Sequence, residues 1–138
     1  MPSVRRALPA PADRLPFEEL SALPQITVDY SGTLDAAFDR QAFALALHPV
    51  VVATVDARPE DCRTRFRRVV DFVAGAETEG HAVLHVEIGL RHGRTDADKA
   101  RLSAAVLALV AAQVKPVDGV TLHASAEIPT LDGSYRRR

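Results

Sequence analysis

The greatest chemical capacity in this chain lies in its arginines. Arg63, Arg65, Arg67 and Arg68 fall within six consecutive positions, the densest basic cluster in the sequence. A guanidinium stays charged and presents a planar fork of donors, so it suits a carboxylate or another anion. Alternate residues of a strand share a face, so this run reads either as an anion site or as a solvated margin with intersubunit salt bridges. For Arg65, Arg67 and Arg68 both readings stay open. Another arginine, Arg94, closes the string Gly89-Leu-Arg-His-Gly-Arg before Thr95. The histidines offer less. His85, with Glu87, and His123 lack the close His or Cys spacing of a metal site, so they are read as solvent-face or interface residues. No metal and no cofactor is expected. His48, beside Pro49, is read as a helix-end or interface residue.

Alternation and helical spacing show what must position these groups. Ile26, Val28 and Tyr30 alternate with Gln25, Thr27 and Asp29, and Ser31-Gly32 ends the run, which predicts a first strand beginning at Pro24. Phe38, Phe43, Leu47 and Val51 then predict a helix between Asp35 and Val55, with Pro49 expected to kink or split it. After a turn at Arg58–Asp61, Cys62, Thr64, Phe66 and Val70 alternate with the arginines as a second strand. Ala74 to Gly80 reads as a loop. Val83 to Leu90 predicts a third strand that buries Leu84, Val86, Ile88 and Leu90. Thr95 reads as the N-cap of a second helix carrying Leu102, Val106, Leu109 and Val110, and Pro116 and Gly119 stop it before a strand from Val120 to Ile128.

The order is βαβ twice. Ile26–Gly32 lies over Leu84–Leu90 at a spacing of 58 residues, and the same spacing lays Cys62–Val70 over Val120–Ile128. An internal duplication has this signature, with repeats at about 24–72 and 82–129. The expected fold is α+β: a four-stranded mixed sheet with both helices on one face. The other face is expected to be apolar and to need cover from neighbouring subunits. Asp29 and Glu87 match in the repeat and are expected to share a structural role, such as pairing across the sheet.

Composition narrows the function classes. Seventeen Lys and Arg against 18 Asp and Glu give a net charge of −1, which supplies no field for nucleic acid or an anionic membrane. A βαββαβ order also suggests an RNA-recognition module, but the third strand lacks stacking aromatics. One cysteine, Cys62, forms no intrachain disulfide, and a reducing cytoplasm fits. Residues 1–23 hold Pro2, Pro9, Pro11 and Pro16 and read as an extended arm, with a short helical turn at Phe17–Leu20, ahead of one domain over 24–138. These prolines also break up any apolar stretch that would serve as a signal peptide or membrane span.

The duplicated βαβ, the opening Pro24-Gln-Ile-Thr-Val-Asp-Tyr-Ser31, Cys62-Arg-Thr-Arg65 at the second strand, Gly89–Thr95, and the ending from Glu127 through Tyr135-Arg136 together resemble the 5-carboxymethyl-2-hydroxymuconate isomerase family of the tautomerase superfamily. The resemblance implies a homotrimer and proton transfer in an unsaturated, carboxylate-bearing keto acid. It places Pro24 at the position of the general base, whose secondary amine a partly apolar pocket keeps neutral. Arg63 and Arg94 match substrate-binding arginines of the family. In this sequence, however, the Pro24 nitrogen is acylated by Leu23, and a tertiary amide has no usable basicity. The expectation is a fold kept without the proline chemistry, with the arm across the old pocket or clamping a neighbouring subunit. The alternative is an active isomerase once processing or a start at Leu23 frees the amine.

Overall fold

The computed structural model describes residues 21–138, so most of the proline-rich arm, including the expected turn at Phe17–Leu20, lies outside the described residues. Strands β1 (Gln25–Ser31), β2 (Arg63–Val69), β3 (His81–Gly89) and β4 (Thr121–Glu127) form one sheet in the order β2-β1-β3-β4. β1 runs parallel to β2 and β3 parallel to β4, while β1 and β3 are antiparallel, so the sheet is mixed. Helices α1 (Arg40–Thr54) and α2 (Asp96–Gln113) both pack on one face.

The duplication is legible in the strand bounds, although β4 pairs on β3 two residues out of the register in which β2 pairs on β1. β2 and β4 coincide at the 58-residue spacing, Arg63 on Thr121 and Val69 on Glu127. Val28 lies opposite Val86 across β1 and β3, and these two positions are also repeat equivalents, so a local two-fold passes between them. The helices follow a slightly different spacing: the fully buried Phe43, Leu47 and Val51 of α1 correspond to Leu102, Val106 and Val110 of α2, 59 residues on. The connection from α1 to β2 is one residue longer than that from α2 to β4, which absorbs the difference.

The core forms where the even-numbered strand residues meet these helix stripes. Ile26, Val28, Leu84, Val86 and Ile88 are wholly buried. Phe38 packs edge-on against Tyr30 and Phe43, with centroids 5.7 and 5.8 Å away.

Four expectations need correction here. Phe38 precedes α1: a 3-10 turn at Gly32–Leu34 comes first, and Asp39 caps the helix by accepting from the Ala42 amide at 3.0 Å. Pro49 lies inside α1 without ending it, because the carbonyl it leaves unbonded belongs to Leu45, which is 73% exposed and open to water. Val70 falls beyond the end of β2 and is 81% exposed. The fourth concerns the helix-free face, which is polar and charged. It presents Arg63, Arg65 and Arg67 from β2, Asp29 from β1, His81, His85 and Glu87 from β3, and His123 and Glu127 from β4. Alternation had placed polar residues there, and only Val69 and Val83 interrupt them.

Asp29 and Glu87 both act on Arg67, but only Asp29 bonds to it. Asp29 takes a two-pronged ion pair from its β2 neighbour Arg67, at 2.7 and 3.2 Å. Glu87 instead lies between Thr27 and Glu127. His48 sits within α1 rather than at its end and holds the helix to β2 through a 2.8 Å hydrogen bond with Thr64 Oγ1.

Candidate functional site

The first residues before β1 are built into the fold. Ser21, Ala22, Leu23 and Pro24 are all buried. The Ala22 amide donates to the Asp56 carbonyl at 2.7 Å, and the Ala22 carbonyl accepts from the Arg91 amide at 2.9 Å, so the segment is wedged between the end of α1 and the loop after β3. Leu23 has φ +46°, the only left-handed non-glycine among the described residues. That conformation costs a residue such as leucine about 1–2 kcal/mol. It persists because the flanking contacts fix it.

Beside Leu23 opens a cleft of about 610 Å³ whose wall includes Arg58, Asp61, Arg63, Arg91, Tyr135, Arg136, Arg137 and Arg138. Six arginines against one aspartate make it strongly electropositive. Asp61, the one acid, is committed to structure. Arg58 clasps it with two hydrogen bonds of 3.0 and 3.3 Å, and Arg137 approaches to 3.8 Å. The hydrogen bond from Arg58 holds the Asp61 carboxyl below its ordinary pKa, against the opposing effect of burial, and a hydrogen bond from Ser21 helps. Asp61 thus ties the pre-β1 segment and the C-terminal segment to one buried charge.

The C-terminal residues Arg136–Arg138 close this cleft. Arg137 donates from Nε to the Tyr135 hydroxyl at 2.9 Å and from Nη2 to the Pro24 carbonyl at 3.4 Å, while its Nη1 is buried without a hydrogen bond. Tyr135 in turn donates to Gln25 Oε1 at 3.2 Å. Leu131 reaches so close to Gly89 that a Cβ there would stand 2.6 Å from its Cδ2, so the glycine of the Gly89–Thr95 string admits the returning chain.

Of the residues singled out in the sequence, Arg63 lines the cleft and its amide donates to the Pro24 carbonyl at 3.3 Å. Arg94 does not belong to this wall. Its guanidinium donates to the carbonyls of Asp56 at 2.8 Å and His92 at 3.3 Å, and burial holds its pKa below the ordinary value. Arg91, from the same string, occupies the wall instead. Sequence reasoning missed Arg91, Asp61 and Arg137. Only Arg91 carried a signal, its place in the Gly89–Thr95 motif.

Cys62, next to Arg63, is buried, and that burial pushes its thiol up to about 11. The native protein is therefore expected to react with a disulfide reagent at pH 8 at least tenfold more slowly than an unfolded control, read by thiol absorbance. Among the described residues no group of three or more His, Cys, Asp and Glu side chains is placed to hold a metal, and no helix is long and apolar enough to cross a membrane.

The sequence profile described as 5-carboxymethyl-2-hydroxymuconate isomerase matches residues 24–137. The chain belongs to this family. The family match opens on Pro24, the residue that leads into β1, and takes in Arg63, Arg94 and the C-terminal segment. Among solved structures, a 5-carboxymethyl-2-hydroxymuconate isomerase from Deinococcus radiodurans R1 is 21% identical, with a TM-score of 0.65 over 85% of this chain and 90% of that one. A 5-carboxymethyl-2-hydroxymuconate delta-isomerase is 16% identical, with a TM-score of 0.64 over 88% and 91%. A fused 4-OT described as a wild-type symmetric trimer is 25% identical, with a TM-score of 0.56 over 75% and 85%. A search of curated protein sequences finds no match. The fold is thus that of the tautomerase superfamily.

Proposed function

We propose that this isomerase-family chain binds a small carboxylate-bearing ligand in the arginine-lined cleft, and that proline-based catalysis is silent while Leu23 acylates Pro24. The carrying observation is the Leu23–Pro24 junction: it is buried, hydrogen-bonded through Ala22, and part of the cleft wall. An amide nitrogen has no lone pair available for a proton, so the group at the family's leading position supplies no base. What remains is anion recognition. Arg63 and Arg91 are the first contacts we assign, with Arg137 held behind them. Arg94, outside this wall, would serve only where adjacent copies complete a pocket.

The second reading is an active isomerase of unsaturated keto acids once the Pro24 amine is exposed. It draws on the family match beginning at Pro24. In that state the amine would take the hydroxyl proton of the dienol and return a proton to carbon, while Arg63 would hold the carboxylate and steady the charge developing on the dienolate oxygen. For either reading we propose a homotrimer, as in the fused 4-OT structure, in a reducing cytoplasm that suits the lone buried thiol.

Calorimetric titration of the full chain with muconate dianion tests the binding claim. Saturable binding is expected, and Arg63→Ala should weaken it about 10- to 100-fold, the usual worth of a hydrogen bond to a charged group. Equal affinity in the variant would remove Arg63 from the site.

A further inference from the structure

The sheet brings together histidines that lie far apart in the sequence. His81 opens β3 and His123 lies in β4, 42 residues on, and both stand on the helix-free face. The β3–β4 register sets His123 opposite Val83, diagonal to His81 on one side and to His85 on the other. His81 Nδ1 and His123 Nε2 meet at 2.9 Å, whereas His85 turns its Nδ1 to Ser125 Oγ at 2.7 Å. The other ring nitrogen of His81, Nε2, is hydrogen-bonded to Glu77, in the segment that joins β2 to β3. Phe72 of that segment packs its ring against His123, with centroids 5.7 Å apart. The order is carboxylate, imidazole, imidazole, and none of these residues lines the arginine cleft. The first repeat has Leu23 and Arg65 at the equivalent positions, so only the second half carries the pair.

A histidine that ligates a metal usually gives its outer ring nitrogen to a carboxylate, which fixes the ring and raises its basicity. We propose that His81 Nδ1 and His123 Nε2 bind one divalent transition-metal ion, copper(II) or nickel(II) in preference to zinc(II), with Glu77 orienting His81 from behind. The ion takes the place of the proton now between the rings. Each ring tips so that both lone pairs converge on it, and Glu77, 69% exposed, is free to follow His81. Metal–nitrogen bonds of about 2.0–2.1 Å to nitrogens 2.9 Å apart enclose an angle of about 90°, that of neighbouring ligands in a square-planar or octahedral shell. A tetrahedral zinc ion needs them about 3.3 Å apart. Among the described residues no third His, Cys, Asp or Glu completes a group around the pair, so water fills the remaining positions. The bound ion joins β3 to β4 where the β2–β3 segment enters the sheet, and so fastens that segment.

Equilibrium dialysis of the untagged full chain against nickel(II) tests the site. His81→Ala and His123→Gln should each lose one bound nickel per chain. Far-UV circular dichroism checks folding, and His123→Gln stands in for an alanine variant that fails to fold, since glutamine keeps a hydrogen-bond partner for His81 while removing the imidazole. Glu77→Gln should weaken binding about 10- to 100-fold, and His85→Ala should stay within about threefold of the parent. Zinc(II) should bind at least about tenfold more weakly than nickel(II). Nickel(II) should also raise the melting temperature of the parent with concentration and leave that of the two histidine variants unchanged. A parent chain that binds no nickel, or nickel binding that survives both histidine changes, overturns the site. Zinc(II) bound as tightly as nickel(II) overturns its geometry, and a loss on His85→Ala as large as on His81→Ala overturns the choice of ligands.

Discussion

A chain shortened so that Pro24 is its first residue is expected to ketonise phenylenolpyruvate about 10²- to 10⁴-fold faster than the full chain, the usual contribution of a positioned general base. The shortening changes one bond that matters chemically: the Pro24 nitrogen passes from a tertiary amide to a secondary amine. The arginine wall is kept, since Arg63 and Arg91 lie on β2 and on the loop after β3. The gain carries a structural cost. Removing Ser21–Leu23 deletes the two hydrogen bonds at Ala22 and the buried Leu23 side chain. At about 1 kcal/mol per hydrogen bond and about 2 kcal/mol for the leucine, less the about 1–2 kcal/mol of backbone strain released with it, the shortened chain should be roughly 2–3 kcal/mol less stable in urea. Higher activity with lower stability marks the segment as both structural part and chemical block. Equal activity in the two chains would place the base elsewhere.

The second large effect is expected at Asp61. Replacement by asparagine keeps the shape but removes the charge that Arg58 clasps and that the buried Arg137 approaches. Breaking a buried pair by removing one partner costs about 3–5 kcal/mol. Arg58 is 30% exposed and regains some hydration, so about 2–3 kcal/mol is the expected loss at neutral pH. The pH dependence follows from the lowered folded-state pKa. Stability from the carboxylate is present above the unfolded aspartate value, near 3.8, and is lost as pH falls below it toward the lower folded value. Asp61→Asn should therefore flatten the acid limb of the stability curve as well as lower its plateau. Thermal melts from pH 7 to pH 3 measure both, and a variant that melts like the parent would show that Asp61 organises nothing.

The sheet, both helices and the duplication were legible because alternation and helical spacing report burial directly, and Ile26, Leu84 and Val106 are where those periods put them. Pro49 misled because helix breaking depends on whether the freed carbonyl reaches water, which Leu45 decides. The nature of the open face was also present in the letters: His85 and Glu87 had been assigned to it, and weighing the whole face would have shown it to be charged. The cleft was less legible. Arg63 came through the strand motif, but Asp61 and Arg137 meet across 76 residues through a buried charge, and no local pattern encodes such a pairing. Arg91 and Arg94 stand three apart in one loop, and only the backbone path around Gly93, with φ +104°, determines which of them faces the cleft.

The most direct test of the central claim is the ketonisation rate of phenylenolpyruvate with the full chain, after mass spectrometry has verified that Leu23 is still joined to Pro24. The acylated proline predicts a rate equal to that of buffer, together with muconate binding that depends on Arg63. Catalysis by that intact chain, lost on Arg63→Ala, would contradict the claim and require a base other than Pro24 in the cleft.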